Sequence, residues 1–464
     1  MKLANQDAAN DDKSKSRNSS SNSNHDNDAA TPPAQQQADT CTLPLPPPDG
    51  GFRAWAQVVV AHLGSFNGWG YMTSFGLFQS YYTDTLLPGT ASSSISWIGS
   101  LQIFLAFAIG SVSGRALDMG YLRQAVIAGT TLQILAIMTA SVSSTYWQLL
   151  LTQGLCKGLG DGLVFCPTVA NVPTYFSKRR AVAMAIAASG TSTGGVVFPL
   201  IAQQLMPRIG YGWTVRVMGF IVLFNAAVML ALVKPRFLSL ERKNDSKVTF
   251  AGFFEWSAFR EPPYTLFCTG MFAVWLALYF AFYYVSQYGK DYIAVDTSTS
   301  LTLLLAMNAI GAPSRVIFGF IADKCLGLLH TLILAVLCTS VMFYSWIAVR
   351  DLPGLFAFSC LYGSFAAAVQ ALFPASCASL TKDVGKMGAR TGMAFAVVSV
   401  ATLTGPPLGG ALVQAMGARG GGYLYAQVFG GSVLVLGAGL LVLSSWYRQK
   451  GEKRQSRGMV QRRD

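Results

Sequence analysis

Residues 214–234 read TVRVMGFIVLFNAAVMLALVK, and residues 235–262 continue PRFLSLERKNDSKVTFAGFFEWSAFREP. The first stretch is apolar except for a few positions such as Arg216 and Asn225, and it closes on Lys234. At about 1.5 Å per residue, some 20 residues of helix cross the roughly 30 Å of a bilayer's hydrocarbon. The second stretch cannot stay in lipid, because it carries Glu241, Arg242, Lys243, Asp245 and Lys247 close together. The two stretches are therefore a membrane span and its exit into water. Working outward, the same alternation recurs on both sides. Before it lie apolar runs at 55–80, 94–116, 123–142, 147–173 and 180–206. After it lie runs at 263–288, 299–322, 328–349, 354–380, 388–416 and 423–446. The expected fold class is an all-α polytopic membrane protein, with twelve transmembrane helices in two pseudo-symmetric six-helix bundles. The expected division is a disordered tail at 1–48, a first bundle at 49–234, a linker at 235–262, a second bundle at 263–447 and a basic tail at 448–464.

Composition agrees. Of 464 residues, 52% are hydrophobic and only 12% charged. A soluble chain carries about 25% charged residues, so water alone does not solvate this surface. The 46 glycines suit helices that approach closely in lipid. The net charge of +13 does not point to nucleic acid, since the basic residues sit in short loops and tails rather than on one soluble face. The eight cysteines are scattered, with no Cys-x-x-Cys pair and no Cys/His cluster. Neither a metal nor another cofactor is expected. No Gly-x-x-x-x-Gly-Lys-Ser/Thr sequence occurs, so ATP is not the direct energy source. No grouping of nucleophile, His and acid suggests an enzyme. The first 48 residues lack an apolar core, so the first span is expected to act as the insertion signal.

Charge asymmetry sets an expected orientation. With both termini cytoplasmic, 27 of the 34 Lys and Arg fall inside and five outside. The remaining two, Lys157 and Arg315, lie within spans. An odd number of spans would scramble this sorting. A multi-pass protein of the cell membrane is expected, an internal membrane such as the vacuole remaining open.

The two halves also repeat one another. Gly114-Arg-Ala-Leu-Asp118 closes the second span and Gly319-Phe-Ile-Ala-Asp323 closes the eighth. Span 4 carries Phe165-Cys-Pro167 and span 10 carries Phe373-Pro374. Span 5 ends near Phe198-Pro199 and span 11 near Pro406-Pro407. Internal duplication of this kind is common in secondary transporters.

These residues resemble a known family. Gly-x-x-x-Asp after spans 2 and 8 is similar to the loop motif of the major facilitator superfamily. Pro48-Asp49-Gly50-Gly51-Phe52-Arg53-Ala54-Trp55 and Phe75-Gly76-Leu77-Phe78 resemble the span 1 signature of its monocarboxylate porter family. Tyr175-Phe176-Ser177-Lys178-Arg179-Arg180, entering span 5, resembles a second signature of that family. The likeness covers about residues 48–447 and is nearest the fungal branch. It implies a secondary transporter that moves a small organic solute by alternating access, with protons as coupling ions, as a monomeric unit.

Candidate site residues follow from charge and polarity inside the spans. Arg315 lies mid-span in Asn308-x-x-Gly311-x-x-x-Arg315, one helical face. A cation at that depth costs about 2.5–3.5 kcal/mol on insertion scales, so it is expected to face a cavity or a partner. Its planar fork suits a carboxylate. The resemblance implies the same role, binding of the substrate carboxylate. Two departures accompany it: the family's acid one turn earlier aligns with Gly311, and its span 1 lysine aligns with Thr73. Lys157 and Asp161 share a face of span 4 and form a candidate coupling pair or a packing pair. The neighbouring Gly154, Gly158 and Gly162 are expected to pack against another helix. Spans 1, 4, 7 and 10 line the cavity in this superfamily, which implies roles for Asn67, Tyr71, Tyr279, Tyr283 and Gln370. Tyr284 and Tyr288 read instead as an interfacial aromatic belt. Asp118 with Arg123, and Asp323 with Lys324, are candidate gating residues, each carboxylate capping a helix or pairing with a cation. His62 reads as a packed histidine.

The expected function is export of a small, anionic secondary metabolite. Uptake of a nutrient such as a monocarboxylate or vitamin is the alternative, and a non-transporting membrane sensor a remote one. The short C-terminal tail argues against the sensor.

Overall fold

The computed structural model describes residues 47–236 and 255–460, apart from 76–77, 79–80, 91, 382, 384–385 and 418–421. The expected tail at 1–48 and the charged centre of the 235–262 linker therefore lie almost wholly outside the described residues. All regular elements among the described residues are helical. Among the described residues, ten helices are long and apolar enough to cross a membrane. One of these, Arg180–Leu232, contains Gly210 at φ 75° and ψ 169°, a conformation that only glycine adopts readily. The chain turns there, and the helix divides into two spans. A further helix runs from Phe52–Ser65 through a π-helical turn, Phe66–Gly70, to Tyr71–Thr73.

Twelve spans result. We label them α1 (Phe52–Ser65 with its continuation), α2 (Trp97–Asp118), α3 (Leu122–Ala140), α4 (Tyr146–Tyr175), α5 and α6 (the two parts of Arg180–Leu232), α7 (Pro262–Ile293), α8 (Thr302–Leu326), α9 (Leu328–Trp346), α10 (Leu352–Leu380), α11 (Met387–Val413) and α12 (Leu424–Gly451). Their order and bounds follow the apolar runs of the sequence closely. Arg208 and Arg216, counted among the outside charges, sit within helical residues on either side of Gly210. The outer surface carries large apolar side chains such as Phe224, Val341 and Leu436, the surface of a bundle solvated by lipid.

Within the first half, α3 and α2 pack on α4, and α1 packs on α5 and α6. Within the second, α7 packs on α11 and α12, and α10 on α8 and α9. The halves meet mainly through α2 against α11 and α5 against α8. Small residues make these crossings close. A Cβ on Gly114 would overlap the Gly388 carbonyl, and one on Gly392 would overlap the Gly110 carbonyl. On the other side, a Cβ on Gly319 would stand 3.0 Å from the Ala181 carbonyl oxygen. Gly154, Gly158 and Gly162 lie against Ile98, Gln102 and Leu105 of α2, as the stripe predicted.

Candidate functional site

Arg315 is brought to the seam between the halves by α8. It is 3% exposed. Its Nη1 donates to Ser192 Oγ of α5, and its Nη2 donates to Gln370 Oε1 of α10 at 2.9 Å. Its Nε is buried without a partner. Among the described residues no carboxylate pairs with it. Both partners are neutral, so the charge is solvated by dipoles but not neutralised.

The guanidinium and Gln370 line a cavity of about 30 Å³. That is room for about two waters, far below the roughly 300–1,000 Å³ of small-molecule pockets. The cavity is therefore contracted, too small to hold an organic solute. Its walls are aromatic: Trp69 of α1, Phe107 of α2, Phe165 of α4, Trp275 and Tyr279 of α7, and Phe395 of α11. Several of these rings touch across the seam. Phe107 stacks on Phe395 with centroids 5.3 Å apart, and Phe107 meets Trp275 edge-on at 5.2 Å.

Of the residues expected to bind solute, Arg315, Gln370 and Tyr279 converge on this cavity. Asn308 does not line it. Its amide donates to Leu304 O at 3.0 Å, and its side-chain oxygen lies against Gly195 of α5. Tyr283 stands one turn along α7 and is 49% exposed, outside the cavity. Asn67 and Tyr71 belong to a different group, around Lys157. Tyr288 is no belt residue either: it is buried, and its hydroxyl donates to Val349 O at 2.7 Å. Ser192 and five of the aromatic walls escape sequence reasoning, since a serine among small residues and a phenylalanine in an apolar helix carry no signal of their own.

Gly311 now has a physical account. A Cβ there would meet Ser192 Oγ at 2.7 Å and Arg315 Nη1 at 2.9 Å. The guanidinium occupies the space into which an acid at 311 would project.

Lys157 and Asp161 form an ion pair wholly inside the first half, with Lys157 fully buried. Asp161 also accepts from Gln102 of α2 at 2.9 Å and from Gln133 of α3 at 2.8 Å. Lys157 Nζ also donates to Asn67 O of α1 at 3.2 Å and lies 5.2 Å from the centre of the Tyr71 ring. The Asn67 side-chain oxygen accepts from Asn225 of α6 at 2.7 Å. Four helices thus meet at the pair, and α6 joins them through Asn67. Isolated glutamines in apolar helices could have been found from sequence, because a buried amide in lipid needs a partner. His62 is satisfied by Ile186 O at 2.9 Å and Thr193 Oγ1 at 3.2 Å, the packed histidine expected.

At the end of the bundle where the spans begin and finish, the two aspartates cap helices of the opposite half. Asp118 accepts from the backbone amides of Gly388 at 2.9 Å and Ala389 at 2.7 Å, at the start of α11. Asp323 accepts from Ala181 and Val182, both at 2.9 Å, at the start of α5. Neither uses the neighbouring cation. Arg123 is exposed, and Lys324 lies over the Phe320 ring at 5.8 Å. Arg390, one turn into α11, is held by Glu255 and Glu261 from the segment before α7, at 3.1 and 2.6 Å. Lys386 joins Glu255 at 3.0 Å. Burial pushes the Glu255 carboxyl up, but the hydrogen bonds from Arg390 and Lys386 outweigh it and hold the group below its ordinary value.

Two six-helix halves related by pseudo-symmetry, capping each other's helices and enclosing a cationic aromatic cavity at their seam, define the architecture of a membrane transporter. Known proteins agree. The Major Facilitator Superfamily profile matches residues 58–349. An "MFS-type transporter" of Gibberella zeae is 41% identical over 399 residues, covering 86% of this chain and 87% of its own. The "Aspyridones efflux protein apdF" of Emericella nidulans is 33% identical over 400 residues, covering 84% and 77%. The solved E. coli fucose:proton symporter FucP matches with a TM-score of 0.64 at 15% identity, covering 83% of this chain and 98% of its own, a likeness of fold alone. The chain belongs to the Major Facilitator Superfamily and is a multi-pass membrane transporter of small-molecule solutes.

Proposed function

We propose that the protein is a proton-coupled secondary transporter that exports a small anionic organic solute, a secondary metabolite, with both termini in the cytoplasm. The observation that carries this is Arg315. It is a buried cation with only neutral partners, facing a cavity walled by aromatic rings. A desolvated guanidinium without a counter-ion is an anion site waiting for its ligand. The aromatic walls favour a solute with conjugated or apolar bulk. The printed name of the Emericella nidulans relative, an efflux protein, supports the direction. The signatures at Pro48–Trp55 and Tyr175–Arg180 support placement in the monocarboxylate porter family. The absence of the acid and lysine at 311 and 73 separates it from lactate-type symport.

In this account Asp118 and Asp323 are the cytoplasmic latches, and Lys157 with Asp161 is the coupling pair. Gene deletion in the producing cell, followed by comparison of cell and medium extracts, tests the function. An anionic compound retained in the cells is expected. Unchanged partition of every extracted acid rejects export. In inverted vesicles carrying the chain, collapse of the proton gradient is expected to abolish accumulation of that compound; accumulation that persists rejects proton coupling.

A further inference from the structure

Lys157 does not touch the cavity, yet it grips the one turn of α1 that supplies a cavity wall. That turn, Phe66–Gly70, is π-helical. Changing from i→i+4 to i→i+5 bonding leaves a carbonyl without its usual helical amide, and such turns concentrate at functional sites. Here the Asn67 carbonyl accepts from Lys157 Nζ at 3.2 Å. The contacts of the pair bracket the two residues Trp69 and Gly70. Before them lies Gly68, where a Cβ would meet Asp161 Oδ1 at 3.4 Å. After them lies Tyr71, whose ring is 5.2 Å from Lys157 Nζ. Between them stands Trp69, which lines the cavity and packs on Phe107 at 4.6 Å and Phe165 at 5.5 Å. Span 4 is itself π-helical from Leu150 to Cys156, directly before Lys157.

We propose that Lys157 is a positioning residue for the cavity: through the Asn67 carbonyl it fixes the π turn of α1, and so sets where the Trp69 indole stands. The charged pair and the solute space are then two ends of one short lever. When the Lys157–Asn67 bond is made, Trp69 is held against Phe107 and the cavity is contracted. When it is broken, the turn can return to α-helical bonding, and a change from π to α register rotates Trp69 away from that wall. The groups facing Lys157 are Asp161 and Cys156 on its own helix and Tyr71 and Asn67 on α1. Asp161 is held in addition by Gln102 on α2 and Gln133 on α3. That this space receives solute rests on the function proposed above; the lever itself does not.

The test uses the full chain in lipid nanodiscs, labelled with 5-fluorotryptophan and read by fluorine NMR. Trp69→Phe and Trp275→Phe assign the two cavity resonances. Lys157→Met is expected to move the Trp69 resonance by more than its linewidth and to leave Trp275 in place. Gln102→Leu removes one donor to Asp161 but keeps the Asn67 contact, so Trp69 is expected to stay. If Lys157→Met fails to fold because Asp161 is left uncompensated, Lys157→Met with Asp161→Leu removes both charges and gives the same expected shift. A Trp69 signal unmoved in the folded Lys157 variants overturns the lever. So does a shift in Gln102→Leu as large as in Lys157→Met, which would mean general loosening. Titration with 2-naphthoate addresses the anion site separately. It is expected to move both resonances in the unmodified chain and neither in Arg315→Ala. Failure there, with the Lys157 response intact, rejects the anion site and not the lever.

Discussion

Arg315 concentrates the chemistry of the site in one side chain, and its neighbours decide how a substitution reads. Its fork is already oriented by Ser192 and Gln370, leaving the charge without a counter-ion among the described residues. A charge-assisted hydrogen bond contributes about 1.5–3 kcal/mol, so on the proposed function Arg315→Ala should lower transport of the anionic solute by about 10-fold to 100-fold. Arg315→Lys keeps the charge but cannot reach both oriented partners, and most of that loss should remain. Transport assays normalised to protein in the membrane check this. Equal activity in both variants and the unmodified chain removes Arg315 from the site. This residue was legible in the sequence because a cation inside an apolar run has few innocent explanations. Ser192 was not, because α5 is full of small residues and only the fold shows which one meets the guanidinium. Gly311 was visible only as a departure from a family pattern, and the structure supplies its cause in the space that Arg315 fills.

At the scale of the helix, the start of α11 is tied both across the seam and to the segment before α7. Asp118 caps it from α2, while Glu255 and Glu261 clamp Arg390 from the segment leading into α7. Glu255 titrates below its ordinary 4.5 because Arg390 and Lys386 favour its charged form over the cost of its burial. Its folded value is depressed, so its contribution to stability is complete above 4.5 and is lost as pH falls through the folded value. The difference in Tm between the unmodified chain and Glu255→Gln should therefore be constant from neutral pH to about 5, then shrink in more acidic buffer. A difference independent of pH across that range would show that the clamp acts by packing and not by charge. Along the same helix, Gly388 and Gly392 let α11 meet the α2 backbone. Gly392→Val places a branched Cβ where the Gly110 carbonyl stands. It should hold the halves apart at that end and bring transport to background while the protein still reaches the membrane. Normal transport would mean that the crossing seen here is not revisited in the cycle. The helices themselves were legible from hydropathy, whereas these contacts were not. Many of the 46 glycines fit close packing equally well, and hydropathy does not say which face meets which.

At the scale of the molecule, the sequence repeat becomes a reciprocal lock. Gly114–Asp118 and Gly319–Asp323 looked like equivalent turns, and each aspartate does the same thing to the other half. Asp118 holds the amides that open α11, and Asp323 holds the amides that open α5. Each carboxylate meets the positive end of a helix dipole as well as two N–H donors. Sequence left open whether the aspartates pair with neighbouring cations, and only the assembled halves show that they reach across to backbone. Because the two caps sit on opposite sides of one seam, the proposal that they act as latches predicts that one partly covers the loss of the other. Asp118→Asn and Asp323→Asn should each weaken closure modestly, since an amide keeps the shape and one acceptor but loses the charge. The double variant should open the end by more than the product of the single effects. Ala188 lines the cavity, so Ala188→Cys reports its accessibility. The rate of labelling by a membrane-impermeant maleimide, supplied from the side of the termini and corrected with the same variants retaining Ala188, is the measurement. Small increases in the singles and a much larger one in the double are expected. A double variant labelled no faster than the unmodified chain would mean that the aspartates only shape their turns, and that the aromatic contacts between Phe107, Phe165 and Phe395 keep the end closed without them.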